Sequence, residues 1–382
     1  MKEGNKQRYE VDGGIGIVAS RLTVQGPIAK NQSSFIVSGR RTYALDLAQP
    51  IITNTNFAGT NYYFYDLHTK VNYRISDRDR IFLSGYFGRD VLRYRSSVRD
   101  FFFNLPYGNS TATLRWNHLF NDKLFFNLSA VYNDYDFGFE GGQADFSVDV
   151  ASGVRDANLK LDFDFFPNPR HSVKFGVHYT YHKLTPNIAN ATNGEETFSN
   201  NLEPKYAHET GSYVLDDWKI SSRLSINYGV RFDTFTQLGP YVSPFDGTIY
   251  TKNEPVTTYT GFEPRLSGRY KLGAAASPKA GITVTNQYIH LVSNFTSPLP
   301  ADIWVPSTEK IKPQRGIQYA LGYFQNFRDN TYETSVEIYY KDLDNQIDYR
   351  ENYVNNAADD LEDEFVFGQG EAYGAEFFIN KR

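Results

Sequence analysis

The stretch Leu224-Ser225-Ile226-Asn227-Tyr228-Gly229-Val230-Arg231-Phe232-Asp233 splits into two sets that never mix. Its even positions are apolar or aromatic, and its odd positions are polar, charged or glycine. Successive side chains of a strand leave opposite sides of the backbone, so a period of two marks a strand with one oily and one wet face. The same division recurs along the chain. Tyr65, Leu67, Val71 and Tyr73 oppose Asp66, His68, Lys70, Asn72 and Arg74. Leu159, Leu161, Phe163 and Phe165 oppose Asn158, Lys160, Asp162 and Asp164. Val173, Phe175, Val177, Tyr179 and Tyr181 oppose Lys174, Gly176, His178, Thr180 and His182, and Val336, Ile338 and Tyr340 oppose Ser335, Glu337 and Lys341.

A soluble sandwich also alternates, with its apolar side inward. Two details favour a membrane wall instead. The alternating runs are about 9–15 residues long, where soluble strands cluster near ~5–6. Single charges also sit in the middle of the polar faces, as they do in a wet lumen. The connections have their own rhythm. Short turns are expected at 27–31, 76–79, 121–123, 167–170, 221–223, 273–279 and 328–330. Longer polar loops alternate with them at 41–61, 89–108, 184–206, 238–261, 290–312 and 344–370. Outer-membrane barrels place short turns at the periplasmic end and long loops outside. The reading is therefore an all-β, antiparallel transmembrane β-barrel, with about sixteen strands in this chain. Its first two strands are expected near Arg8–Gly14 and Gly16–Gly26, separated by a tight glycine-rich bend. Residues 1–382 form one barrel domain with no linker.

Composition agrees. Among 382 residues there are 30 Phe and 29 Tyr, and a ring that is apolar along its body and wet at its hydroxyl suits a membrane girdle. No apolar run approaches the ~20 residues of a spanning helix. A net charge of −5 gives no reason to expect nucleic acid as a partner. Cysteine is absent, so neither a disulfide framework nor a thiolate metal site is available. The start, Met1-Lys2-Glu3-Gly4-Asn5-Lys6-Gln7-Arg8, has no apolar core and is not a signal peptide.

Several segments resemble TonB-dependent outer-membrane receptors, especially those of Bacteroidetes-type bacteria. Ser20-Arg21-Leu22-Thr23-Val24-Gln25-Gly26-Pro27-Ile28 with Ser38-Gly39-Arg40-Arg41 is similar to the first hairpins of that barrel. Asn227–Asp233 and Glu263-Pro264-Arg265-Leu266-Ser267 are similar to its mid-barrel strands. Lys312–Arg315, Gln318–Tyr323, Val336–Lys341 and Gly370–Glu376 follow in the family's order. The resemblance implies that Met1–Asn5 is the junction between plug domain and barrel. It also implies that about six more strands follow Arg382 to complete a plugged barrel of about 22. On this reading the chain is a barrel fragment without plug, TonB box or last strands. Alone it is expected neither to insert nor to transport, because two unpaired edges in lipid are costly.

Other motifs carry little chemistry. Gly13-Gly14-Ile15-Gly16 imitates a dinucleotide loop, but no helix pattern follows and a strand bend is expected. His178 and His182 share a face, yet four strand residues hold them ~13 Å apart, too far to chelate one metal. The acidic run Asp359–Glu364 lacks the spacing of a calcium loop and is read as solvated. No nucleophile–base set is present, so the chain is not read as an enzyme, and no cofactor or metal is expected.

If alternation holds, Arg40, Arg41, Arg74, Arg231, Asp233, Glu263, Arg265, Arg269, Glu337 and Glu376 point into the lumen. The resemblance implies that such groups hold the plug and line the ligand path. The bland alternative, that they only solvate the lumen and cancel one another's charge, stays open. Tyr73, Trp116, Phe165 and Tyr179 are expected at the membrane girdle. The function implied is import of a bulky, scarce nutrient (a siderophore, oligosaccharide, peptide or cobalamin) driven by the TonB complex. Its partners are outer-membrane lipid, the protein's own plug domain, the TonB complex and the small nutrient ligand. A passive porin of about sixteen strands is the alternative.

Overall fold

A computed structural model describes residues 2–55, 57–96, 98, 100–200, 202–292, 303–351 and 361–381. The wall opens with β1 (Glu10–Ile15), β2 (Ala19–Ala29), β3 (Ser33–Thr42), β4 (Thr60–Arg74), β5 (Asp79–Arg95) and β6 (Phe101–Asn121). It continues through β7 (Leu124–Gln143), β8 (Phe146–Asn168), β9 (His171–Asn193), the short β10 (Glu196–Ser199), β11 (Lys205–Lys219) and β12 (Leu224–Leu238). A small hairpin, β13 (Tyr241–Val242) and β14 (Ile249–Tyr250), precedes β15 (Pro255–Tyr270) and β16 (Ala276–Gln287). A second hairpin, β17 (Ile289–Val292) and β18 (Ile303–Pro306), precedes β19 (Gln314–Phe327), β20 (Tyr332–Tyr349) and β21 (Phe365–Lys381). One helix, α1 (Ala44–Ile52), follows β3, and a 3-10 turn (Leu361–Glu364) precedes β21.

Seventeen of these strands form one antiparallel sheet, and without β10, which only folds back on β9, they make a meander of sixteen. Among the described residues β1 pairs only with β2 and β21 only with β20, so these two strands are the sheet's edges. The first two strands fall close to expectation, with the bend between them at residues 16–18. Gly13–Gly16 is thus strand and bend.

Lipid-facing positions carry the apolar half of the alternation. Tyr228, Val230 and Phe232 are exposed on the outer face of β12. So are Leu159 on β8, Val177 and Tyr179 on β9, and Tyr319, Leu321 and Tyr323 on β19. From Leu224 to Phe232 the chain advances about 27 Å at ~3.4 Å per residue, which tilt reduces to roughly the ~25 Å of an outer-membrane apolar band.

The strands do not stop at the band's edge. β8 and β9 each have 23 residues, well beyond the lengths expected from sequence. The expected loop 89–108 is mostly strand, since β5 reaches Arg95 and β6 begins at Phe101. The expected loop 184–206 likewise holds the end of β9 and all of β10, and the loop 41–61 holds α1. Above the band the faces exchange character. On β12 the outward series continues with Thr234 and Thr236, which meet Thr210 and Thr258 side chain to side chain. The inward series passes from Arg231 and Asp233 to Phe235, which is fully buried. On β8 and β7 the outward positions above Leu159 and Tyr132 are Arg155 and Asp134, joined by an ion pair of 2.6 Å. Water outside and packed loops inside reverse the preference for each face.

The boundary also moves across the sheet. Phe87, Ser110, Asp134, Arg155 and Lys183 lie in one cross-strand row. That row is apolar at β5 and charged from β7 onward, as expected when strands are tilted to the bilayer plane.

This boundary predicts unequal costs for the same substitution at two nearby outward positions. Val230→Arg should cost about 2–4 kcal/mol in reversible unfolding from lipid, and Thr234→Arg no more than about 1. Equal costs at the two positions would contradict the assigned edge.

Candidate functional site in the lumen and its outer mouth

Charges collect on the inner wall where β8, β9, β11, β12 and β15 run side by side. Arg231 Nε donates to both carboxylate oxygens of Asp233 at 2.8 Å. Its guanidinium also lies 3.6 Å from Glu209 and 3.9 Å from Glu263. Register builds this group. Arg231 stands opposite Glu263 on β15, and Glu209 stands opposite Thr180, midway between His178 and His182. The two oxygens of Glu209 therefore reach both imidazoles, at 3.3 and 3.5 Å. His182 meets Asp156 through its other nitrogen at 2.7 Å. The histidines are thus joined through a carboxylate on the neighbouring strand and do not meet directly. Among the described residues no group of three or more His, Cys, Asp or Glu could hold a metal ion.

Gly211 makes the cluster possible. It lies opposite both His178 and Asp233, and a Cβ there would come 2.0 Å from Asp233 Oδ1 and 2.2 Å from His178 Cε1. The charged wall also lines a recess of about 440 Å³ with Lys160, Tyr213 and Arg265. Such an arrangement can hold a polar partner by several directed hydrogen bonds, because each wall group is already fixed by its neighbours.

The other expected lumen residues are dispersed. Arg40 bonds Asp66 at 2.7 Å. Arg41 is the correction. Being adjacent to Arg40 in a strand, it takes the opposite face, and its guanidinium lies over the Tyr63 ring beside Asp46 of α1. Arg74 sits at a short turn, 3.9 Å from Asp77. Arg269 donates to Ser277 at 3.3 Å. Glu337 and Glu376 face one another across β20 and β21. On the outer face Tyr73 and Trp116 are exposed near the short-turn end, with Phe165 half-buried there. Tyr179 lies near the other edge of the band, its hydroxyl 2.7 Å from His208 Nδ1.

Above the charged wall the mouth is packed by loops. Phe235 stacks on Tyr288, with ring centroids 5.1 Å apart and planes 3° from parallel. Hairpin β17–β18 turns inward from there. The Ser307 amide donates to the Tyr288 carbonyl at 2.7 Å, the Tyr259 hydroxyl to the Thr308 carbonyl at 2.7 Å, and the Glu309 amide to Gln237 at 3.1 Å. His290, fully buried in this hairpin, has its pKa pushed down to about 4 by desolvation and is neutral at physiological pH. Val292, Ile303, Val305, Ile311 and Phe365 form an apolar cluster in the same mouth.

The acidic run is corrected in part. Asp359 and Asp360 lie outside the described residues. Glu362 and Glu364 are buried, the first bonded to Thr308 at 2.8 Å and to Lys205 at 3.2 Å, the second to Arg350 at 2.6 Å. Sequence reasoning also missed Glu209, Asp156, Gly211 and Trp304. Glu209 and Gly211 carried no local signal, since polar residues fall on both parities of β11, with His208, Thr210, Ser212 and Asp216 on the opposite one.

Comparison with known proteins places this geometry. Residues 34–380 match the family described as TonB dependent receptor-like, beta-barrel. No curated protein matches the sequence. Among solved structures, the chain is similar to the copper transporter OprC, with 13% identity and a TM-score of 0.68, covering 100% of this chain and 60% of that one. It is also similar to the ferric yersiniabactin uptake receptor FyuA from Yersinia pestis, with 13% identity, a TM-score of 0.65 and coverage of 100% and 59%. The ferric-catecholate import receptor Fiu from E. coli K12 gives 12% identity, a TM-score of 0.63 and coverage of 100% and 63%. The chain therefore spans about three fifths of the length of these structures, and at such identities the likeness is one of fold. With the family matched over nearly all of its wall strands, the chain belongs to the TonB-dependent receptor β-barrels.

Proposed function

We propose that this chain is the wall of an energy-coupled importer in the outer membrane of a Gram-negative bacterium. Its cargo would be a bulky, scarce nutrient of the siderophore, oligosaccharide, peptide or cobalamin class. The observation that carries the reading is the fixed charged wall around Arg231, lying below a mouth packed with inward-turned loops. A passive channel gains nothing from such a packed mouth. An importer needs a mouth that selects and a wall that holds a movable plug.

In this scheme Arg231, Asp233, Glu263 and Arg265 supply the polar contacts that retain a plug domain and line the ligand path. Arg40, Arg74, Arg269, Glu337 and Glu376 would extend that wetted surface, while Arg41 acts on the outer face. Tyr73, Trp116, Phe165 and Tyr179 would anchor the wall at the headgroups. Energy would come from the TonB complex acting on the plug. The neighbouring solved structures are a copper transporter, a ferric yersiniabactin uptake receptor and a ferric-catecholate import receptor, which agrees with uptake in general and leaves the class of cargo here to the proposal.

Two outcomes test this. In cells carrying the full-length protein, dissipating the proton gradient should abolish nutrient accumulation; accumulation that continues at the same rate would favour a passive channel. Arg231→Glu should lower uptake by about tenfold or more while the barrel remains folded in the membrane, because it sets a fourth carboxylate among Asp233, Glu209 and Glu263. Unchanged uptake and unchanged plug retention would leave these charges as mere lumen solvation.

A further inference from the structure

Two cavities meet at one side chain. The outer one, about 490 Å³, lies among the loops and is bounded by Pro186, Leu202, Tyr241, Tyr250 and Glu362. The second, about 480 Å³, lies between hairpin β17–β18 and the inner face of β7 and β8, where Tyr135, Phe137, Val154, Asp156 and Leu291 bound it. Trp304 lines both. It stands opposite Leu291 across the hairpin, so the hairpin fixes its backbone where the two spaces adjoin.

The second chamber is graded in chemistry. Its walls are aromatic and aliphatic, and Asp156 supplies a carboxylate. Asp156 is bonded to His182, which in turn lies 3.5 Å from Glu209 of the charged recess. Outer chamber, aromatic chamber and charged recess therefore follow one another, each linked to the next by named side chains.

We propose that the aromatic chamber is a binding station for a planar ring, with Trp304 as the partition a ligand must displace to enter it from the outer chamber. Tyr135 and Phe137 line the β7 side of the space and Trp304 the hairpin side, so a flat ring between them meets aromatic side chains on both sides, and aromatic groups attract one another. Val154, Ile289 and Leu291 add aliphatic surface to the remaining walls. The Asp156 carboxylate accepts a hydrogen bond from a ring N–H or hydroxyl. The volume lies within the ~300–1,000 Å³ of small-molecule pockets and fits a ring-bearing portion of a larger ligand. The direction of travel rests on the import reading above; ring binding in the chamber does not.

The test uses the full-length protein purified from outer membranes, with 4-nitrophenol as the probe and acrylamide as a control quencher. Trp304 fluorescence is isolated by replacing the other two tryptophans of this chain, Trp116→Phe and Trp218→Phe, and subtracting the signal of the further Trp304→Phe variant. Saturable quenching by 4-nitrophenol and linear quenching by acrylamide are expected. Leu291→Phe and Val154→Phe each fill the chamber from a different wall, and each should raise the half-saturating concentration about tenfold. Both are read only in protein that keeps its heat-modifiable, folded form. Linear quenching by 4-nitrophenol, or unchanged half-saturation in the folded filled variants, would overturn the proposal. Saturable quenching in a protein whose uptake ignores the proton gradient would overturn the import reading and leave the chamber standing.

Discussion

Hydrocarbon offers no partner for a backbone N–H or C=O, so each such group inside a bilayer must be satisfied by the protein itself. In this chain neighbouring antiparallel strands of the large sheet do it for the strands between its two edges, β1 and β21, each of which is paired on one side among the described residues. Once strands are fixed side by side, every residue has an assigned face, and the two faces meet two solvents. The apolar row of β12, from Leu224 to Phe232, follows from lipid on one side. The polar row from Ser225 to Asp233 follows from water on the other. Above the bilayer the backbone rule persists while the solvents change, and this explains why Thr234 and Arg155 face out and Phe235 faces in.

The same pairing builds the chemistry of the lumen. No two residues of the Arg231 cluster, other than Arg231 and Asp233, come from one strand within reach of each other; register brings Glu209, Glu263 and His178 to them. A slip of one residue would send every one of them to the lipid face. Gly211 shows how closely the group is fitted, since a single carbon there would collide with Asp233 and His178. The mouth depends on the wall as well. Tyr288 stacks on Phe235 and Glu309 hangs from Gln237, both on the inward parity of β12.

Much of this was legible because a period of two is a strong signal where one face meets lipid. The strand identities of β4, β8, β9, β12 and β20 and the inward parity of Arg231, Asp233, Glu263 and Arg265 follow from it; the strict order of short and long connections does not hold, since residues 96–100 and 144–145 are short links where long loops were due. The reading weakened above the band. Around Arg89, Asn104 and Asp134 the outward positions are polar, so long strands look like polar loops. Assigning Arg40 and Arg41 to the same face overlooked the period itself, because neighbours in a strand cannot share a side. Glu209 became part of the site only through its register against β9, which local sequence does not specify. Glu362 and Glu364 looked solvated because their partners, Lys205, Thr308 and Arg350, are mostly distant in sequence.

The account stands on the place where the two faces exchange solvents, and nitroxide scanning along the outward positions of β8 measures it most directly. Single cysteines at 155, 157, 159, 161, 163 and 165 can be introduced one at a time, since the chain has none of its own. In the protein reconstituted in lipid, labels from 159 to 165 should be relaxed by oxygen and protected from a water-soluble nickel complex, and the label at 155 should show the reverse. If all six outward labels were equally accessible to the nickel complex, the wall would not be crossing a bilayer as described.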